Sequence, residues 1–401
     1  MESPSPKVQG SREVDASTSR ITSRAQILYL DILSTIFVNL ALEDPLGILY
    51  AGAVCHQWRQ VALNTPKAWY MIPHSVSSHL KYLKIYLDRS GNAPLHVEMR
   101  KVKSTKDTEA EIELLIEQKD RIQCLTIVRQ YHLLRYSFPN LQKLVLDAHF
   151  LDEMKLLENS GSETVPSFSS TQFPHLRVFE LLGDPPDWFN AKIWRSRTMP
   201  PLQRLALYLY LPEILPSDPC LTACADSLVS LTIKLPQGRN HSERLNLPRL
   251  RHIQIIEPHD GTSYTSFEMD APSLVSVHHI ISNPNITSTT KFTLQSPQTV
   301  HFLRTSRISG IHLYPGLRSL WLEHVLDHER WVVPQLAAGM RFCPDLEEIK
   351  YLHHDTDSPH VSDALRRAIM AAKSMVKLSI CKPNEIVHLP GSVIMTDANC
   401  C

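Results

Sequence analysis

One phrase recurs along most of this chain and limits what the chain can fold into. It is a proline, any residue, a leucine, two more residues, and then two apolar residues separated by one position. It reads Pro139-Asn140-Leu141-Gln142-Lys143-Leu144-Val145-Leu146 and returns at 174–181, 200–207, 248–255 and 315–322. Looser copies have their first apolar anchor at Ile122, Leu228, Leu274, Leu346 and Met375. Anchors mostly follow one another at 19 to 29 residues, and one interval of 43 has room for a degenerate copy at 297–302. Proline sets the entry angle. The leucine plugs the interior, and the remainder is a short strand whose alternate side chains point inward. A unit this small cannot bury its own apolar face, so the units must stack on one another.

The phrase resembles the strand segment of leucine-rich repeats. That resemblance implies an irregular leucine-rich-repeat (α/β) solenoid over residues 119–390. Residues 73–118, with mixed helix and strand patterns, are read as the connecting region and first repeat. The asparagine that usually follows the last leucine in that family is missing, with Asp147, Leu182, Tyr208, Glu257 and His324 nearby. The alternative, an α/β domain built on one long parallel sheet, would leave the ten recurrences of the phrase unexplained. In such a solenoid the residues between the inward leucines line the concave face. Arg204, Tyr208, Lys234, His252, Trp321, Glu323 and Lys350 are therefore expected to contact a target protein, an exposed tryptophan and tyrosine among mixed charges being suited to recognition.

The stretch from Ile27 to Ile72 has a different character. Only Asp31, Glu43, Asp44, Arg59 and Lys67 are charged in it. The positions Ile32, Leu33, Ile36, Phe37 and Leu40 form an apolar stripe at helical spacing. Asp44-Pro45 reads as the start of a second helix carrying Leu46, Leu49, Ala53 and Val54. A third follows Cys55 with Trp58, Val61 and Ala62, and Asn64-Thr65-Pro66 stops it. A segment of this length is too small to be self-sufficient, so its apolar surplus must pack on the body or on a partner.

In order, L-x-x-D-I-L-x-x-I-F, D-P-L, V-C-x-x-W-R-x-V-A and T-P-x-x-W resemble an F-box, in the form abundant in mushroom-forming fungi. Tyr29 stands where that family usually has proline. The resemblance covers residues 25–72 and implies a three-helix module that binds a Skp-type adaptor, and through it a cullin–RING ubiquitin ligase. Carried over by position, the adaptor-binding residues are Leu28, Ile32, Leu33, Ile36, Phe37, Leu49, Val54, Cys55 and Trp58. The expected fold class is thus α+β, a small N-terminal three-helix F-box followed by the repeat solenoid. The expected function is substrate recognition for a ubiquitin ligase. The alternative is an adaptor-independent scaffold whose F-box has drifted.

Residues 1–24, polar and serine-rich, read as a disordered tail, and 391–401 as a second tail. Lysine plus arginine equal aspartate plus glutamate at 41 each, which removes the basic footprint of a nucleic-acid binder. No apolar run is long enough for a membrane span. Eight scattered cysteines do not form a disulfide framework and fit a reducing compartment, cytoplasmic or nuclear. His324 and His328 lie four apart without a third ligand. Together with the lack of phosphate-binding or nucleophile motifs, this gives an expectation of no cofactor, no metal and no catalysis.

Overall fold

The computed structural model of the protein describes residues 29–77, 79–100, 106–128, 131–147, 169–183, 199–208, 219–234, 244–257, 266–281, 291–305, 311–323, 329–352, 361–371 and 376–381. A 13-stranded sheet runs through these segments, every pairing parallel, in an order that follows the chain. Its strands are β1 (Met71–Ile72), β2 (Leu95–Arg100), β3 (Ile122–Val128), β4 (Lys143–Asp147), β5 (Val178–Leu182), β6 (Arg204–Tyr208) and β7 (Ser230–Lys234). It continues through β9 (His252–Glu257), β11 (Ser276–Ile281), β13 (Phe302–Thr305), β14 (Ser319–Glu323), β15 (Glu348–Leu352) and β16 (Lys377–Cys381). The intervening β8 (Arg244–Asn246), β10 (Ser266–Asp270) and β12 (Lys291–Leu294) leave that order and form a separate three-stranded parallel sheet.

Helices α1 (Leu30–Glu43), α2 (Gly47–Val54) and α3 (His56–Leu63) precede β1, and α4 (His74–Ser77) and α5 (Leu80–Ser90) lie between β1 and β2. Further along, α6 (Lys106–Glu117) precedes β3 and α7 (Pro219–Cys224) precedes β7. Near the end of the described chain, α8 (Glu329–Phe342) precedes β15 and α9 (Val361–Ala371) precedes β16.

The fold class expected from the sequence is corrected here. The structure is α/β, one long parallel sheet with helices packed around it, not an α+β pairing of a three-helix F-box with a solenoid. Two observations overturn the expectation. Met71 and Ile72, inside the presumed module, pair in register with His96 and Val97, so the helices run straight into the sheet. One apolar cluster then extends without a break from Leu33 and Phe37 of α1 to Val376 beside β16.

That core explains the phrase. The anchors Leu141, Leu176, Leu202, Leu228, Leu250, Leu274, Leu317 and Leu346 are all buried, and so is Val300 in the long interval, where β13 supplies the degenerate copy. Beyond each anchor, inward pairs such as Leu144/Leu146, Phe179/Leu181, Leu205/Leu207 and Ile253/Ile255 join the cluster. Leu83 and Tyr86 of α5, Leu115 of α6, Leu336 and Met340 of α8, and Leu365 and Ala368 of α9 pack on the same face. Each large apolar side chain so buried stabilises by about 1.5–3 kcal/mol.

Two glycines are set apart by what surrounds them. A Cβ on Gly316 would lie 2.1 Å from the carbonyl oxygen of Gln298, so the turn before β14 closes only without a side chain. Gly52 in α2 has nothing within 4 Å of that position. Gly316→Ala is therefore expected to destabilise by about 1–3 kcal/mol through overpacking. Gly52→Ala is expected to stabilise by about 1 kcal/mol from helix propensity. Paired chemical denaturation curves of the two variants read both signs.

Candidate functional site

The N-terminal helices divide their apolar residues between two sides. On α1, Leu33, Phe37 and Ala41 recur every four residues and are fully buried. Ile32 and Ile36, one step round the helix, remain 46% and 42% exposed, with Tyr29 and Leu30 beside them in sequence also exposed. On α2, Gly47, Ile48 and Ala51 face inward, whereas Leu49, Tyr50 (70%) and Val54 face solvent. Asp44 Oδ1 accepts the amide of Leu46, and α2 begins at Gly47, two residues beyond the proline expected to open it.

The expected adaptor residues therefore separate. Ile32, Ile36, Leu49 and Val54 are presented outward. Leu33 and Phe37 are not; they are core. Cys55 and Trp58 are half-buried, and Cys55 caps α3 by accepting the amide of Trp58 at its Sγ (3.5 Å). The Trp58 ring meets Phe37 edge-on at 5.5 Å. Leu28 lies outside the described residues. The exposed Leu30 and Tyr50 were not singled out from the sequence, and Tyr29 only as the residue in place of a proline. The available signal was that α1 is apolar on more than the one face needed for packing.

The joint between these helices and the sheet is built from two aromatics. Trp69 donates its indole N–H to the carbonyl of Ala62 (2.7 Å) and meets Tyr86 of α5 edge-on at 5.2 Å. The Tyr86 hydroxyl donates to the carbonyl of Pro45 (2.8 Å). Burial, with the Asp44 carboxylate nearby, pushes that hydroxyl up to about 12, so it remains a donor throughout the physiological range.

The second candidate surface is the sheet face turned from the core. In-register pairing aligns Glu180, Ala206, Thr232, Gln254, His278, Arg304, Trp321, Lys350 and Ser379 in one row across β5 to β16. Its small members sink between larger ones, and its charges pair from strand to strand. Arg204 lies 3.6 Å from Glu180. Thr232 donates to Gln254 (3.3 Å). Burial and the Glu180 carboxylate raise the Tyr208 hydroxyl. Burial, then Arg251, lowers His252 below the usual histidine value.

Further along the row, Arg304 bonds Glu323, and His278 Nε2 sits 3.6 Å from the other oxygen of that carboxylate. Burial alone would raise Glu323, but His278 and Arg304 together outweigh it and hold the carboxyl at about 2. Lys350 lies 3.5 Å from Glu348 and 4.4 Å over the Trp321 ring.

Of the residues expected to contact a target, Arg204, Tyr208, Lys234, His252, Glu323 and Lys350 are half-buried on this face. Trp321 corrects the expectation of an exposed tryptophan. It is 3% exposed, covered by Lys350, edge-on to Phe302 at 5.5 Å, and its N–H donates to Ser319 Oγ. Arg304 was not singled out from the sequence and His278 was not linked to it, because their shared partner Glu323 is brought to them only by strand pairing. His324 and His328 lie outside the described residues. Among the described residues no three metal-ligating side chains cluster, and no helix is long and apolar enough to cross a membrane. No protein-family model matches the chain, and no curated protein matches it.

The division of α1 gives a direct test. Phe37→Ala is expected to cost about 3–5 kcal/mol, the range for emptying an aromatic site in a core. Ile36→Ala, its neighbour, is expected to change stability by no more than about 0.5 kcal/mol. Urea midpoints of the two proteins measure the contrast.

Proposed function

We propose that this chain is a non-catalytic recognition subunit of a ubiquitin ligase. The outer faces of α1 and α2 take a Skp-type adaptor, and the polar face of the sheet takes a target protein. One observation carries the reading. Seven large apolar residues (Tyr29, Leu30, Ile32, Ile36, Leu49, Tyr50 and Val54) stay exposed on two adjoining helices whose other sides are already packed. Soluble proteins rarely leave so much apolar surface together without a partner. The motif order that resembles an F-box supplies the partner's class, a helical adaptor. This role belongs in the cytoplasm or nucleus, and the described cysteines Cys55, Cys124, Cys224 and Cys343, all free thiols, suit a reducing compartment.

The burial of Leu33 and Phe37 favours a second reading, a scaffold that uses the sheet face without an adaptor. Adaptor capture by the full-length protein separates the two. The wild type is expected to bind purified Skp-type adaptor, and Ile32→Asp with Ile36→Asp to weaken binding by about 100-fold or more, the loss of two buried aliphatic contacts. Because both residues are exposed, the thermal midpoint should barely move. A wild type that fails to bind, or a double variant that binds as well, leaves the scaffold reading standing.

A further inference from the structure

The cluster of His278, Arg304 and Glu323 has chemistry that neither protein docking nor sheet formation requires. Its side chains come from β11, β13 and β14, and each is less than a fifth exposed. Glu323 is already bonded to Arg304, so the pair is neutral without a contribution from His278. The imidazole waits beside it at 3.6 Å, just beyond hydrogen-bond length.

We propose that His278 is a proton-operated switch in the polar face of the sheet. Uncharged, it rests beside a neutral Arg304–Glu323 pair. Protonated, it competes with Arg304 for the one carboxylate and leaves an uncompensated, half-buried cation between β11 and β14. The surroundings set the direction. From β13 comes Arg304 and from β14 Glu323. From β9 comes uncharged Gln254, the register partner, with His252 two pairs closer to the strand start. On its own strand the neighbour is His279. Burial, Arg304 and His279 disfavour the proton more than Glu323 favours it, so His278 titrates below the usual histidine value. Glu323 stays ionised throughout, which leaves His278 as the cluster's titrating member.

The linkage follows. An opened segment takes up the proton at the ordinary value of about 6.5, whereas the closed face resists it, so opening binds protons. The face is therefore most secure above about pH 6.5 and loosens as pH falls toward the folded value. The opening equilibrium rises by up to about tenfold for each unit separating the two values. This does not depend on any adaptor or target.

Hydrogen exchange of the β11–β14 amides in the full-length protein at pH 7.5 and 5.0, corrected for intrinsic rates, is the test. Loss of protection at the lower pH is expected in the wild type and in His252→Gln, and is expected to be much smaller in His278→Gln, where His252 remains. Loss that persists undiminished in His278→Gln, or no loss in the wild type, overturns the proposal. Where the variant does not fold, the ring titration of His278 in wild-type protein decides, its resonance assigned through Arg304→Lys. A midpoint below 6.5, moving lower still in Glu323→Gln, supports the switch, and a midpoint at or above 6.5 overturns it.

Discussion

The structure depends on one backbone interaction repeated just ahead of the strands from β5 to β15. From Leu141 to Leu317, the residue after each anchor offers its carbonyl to two successive amides of the next unit. Gln142 accepts from Arg177 and Val178, Arg177 from Gln203 and Arg204, and Gln203 from Val229 and Ser230. The same pattern passes through Val229, Arg251, Val275, His301 and Arg318, at 2.8–3.1 Å. Buried backbone groups must find partners. This ladder satisfies them where the leucine-rich family would use asparagine, and it needs no particular side chain. That is why glutamine, arginine, valine and histidine all serve at the position. The ladder joins each unit to the next along the chain, and the order of the 13-stranded sheet follows chain order.

Register then determines chemistry. Because each strand starts at the same offset from its anchor, residues of equal offset align into rows across the sheet. Apolar rows fall on the side where the helices pack. The rows on the other side are polar, unlike those of a parallel sheet covered on both faces, whose strands read as nearly continuous apolar runs. A charge in a polar row is answered by a residue distant in sequence but adjacent in the sheet, as Glu180 is by Arg204 and Glu323 by Arg304. These pairs are partly shielded, so they are screened less by salt than fully exposed ones.

What could be read in advance follows from this locality. Anchor, strand and inward alternation lie within eight residues, so the phrase was sufficient to place them, including the strand after Val300. Which way the units assemble was not local. It is written in hydrogen bonds between segments, such as Met71 with His96, and the same phrase is compatible with more than one assembly. Orientation of α1 was hidden for a different reason. Leu33 and Phe37 share helical spacing with Ile32 and Ile36, and only the position of the sheet decides which pair turns inward. Trp321 was misjudged because its cover, Lys350, comes from the next strand along.

The joint at Trp69 and Tyr86 bears on how the two candidate surfaces relate. A tryptophan anchored to the carbonyl of Ala62 and packed on Tyr86, which itself holds Pro45, ties the end of α3 and the start of α2 to α5. β1 follows Trp69 by two residues and pairs with β2, so the tie continues into the sheet backbone. Close-packed interiors transmit displacement instead of absorbing it. A protein docked on the outer residues of α1 and α2 would thus hold a fixed orientation relative to the first strands. Under the function proposed above, a rigid connection of this kind would serve to position a target, whereas a scaffold whose sheet face works alone has no need of it. The buried Leu33 and Phe37 are part of that connection, because they belong to the same apolar cluster as Trp69, Ile72 and the first strands of the sheet.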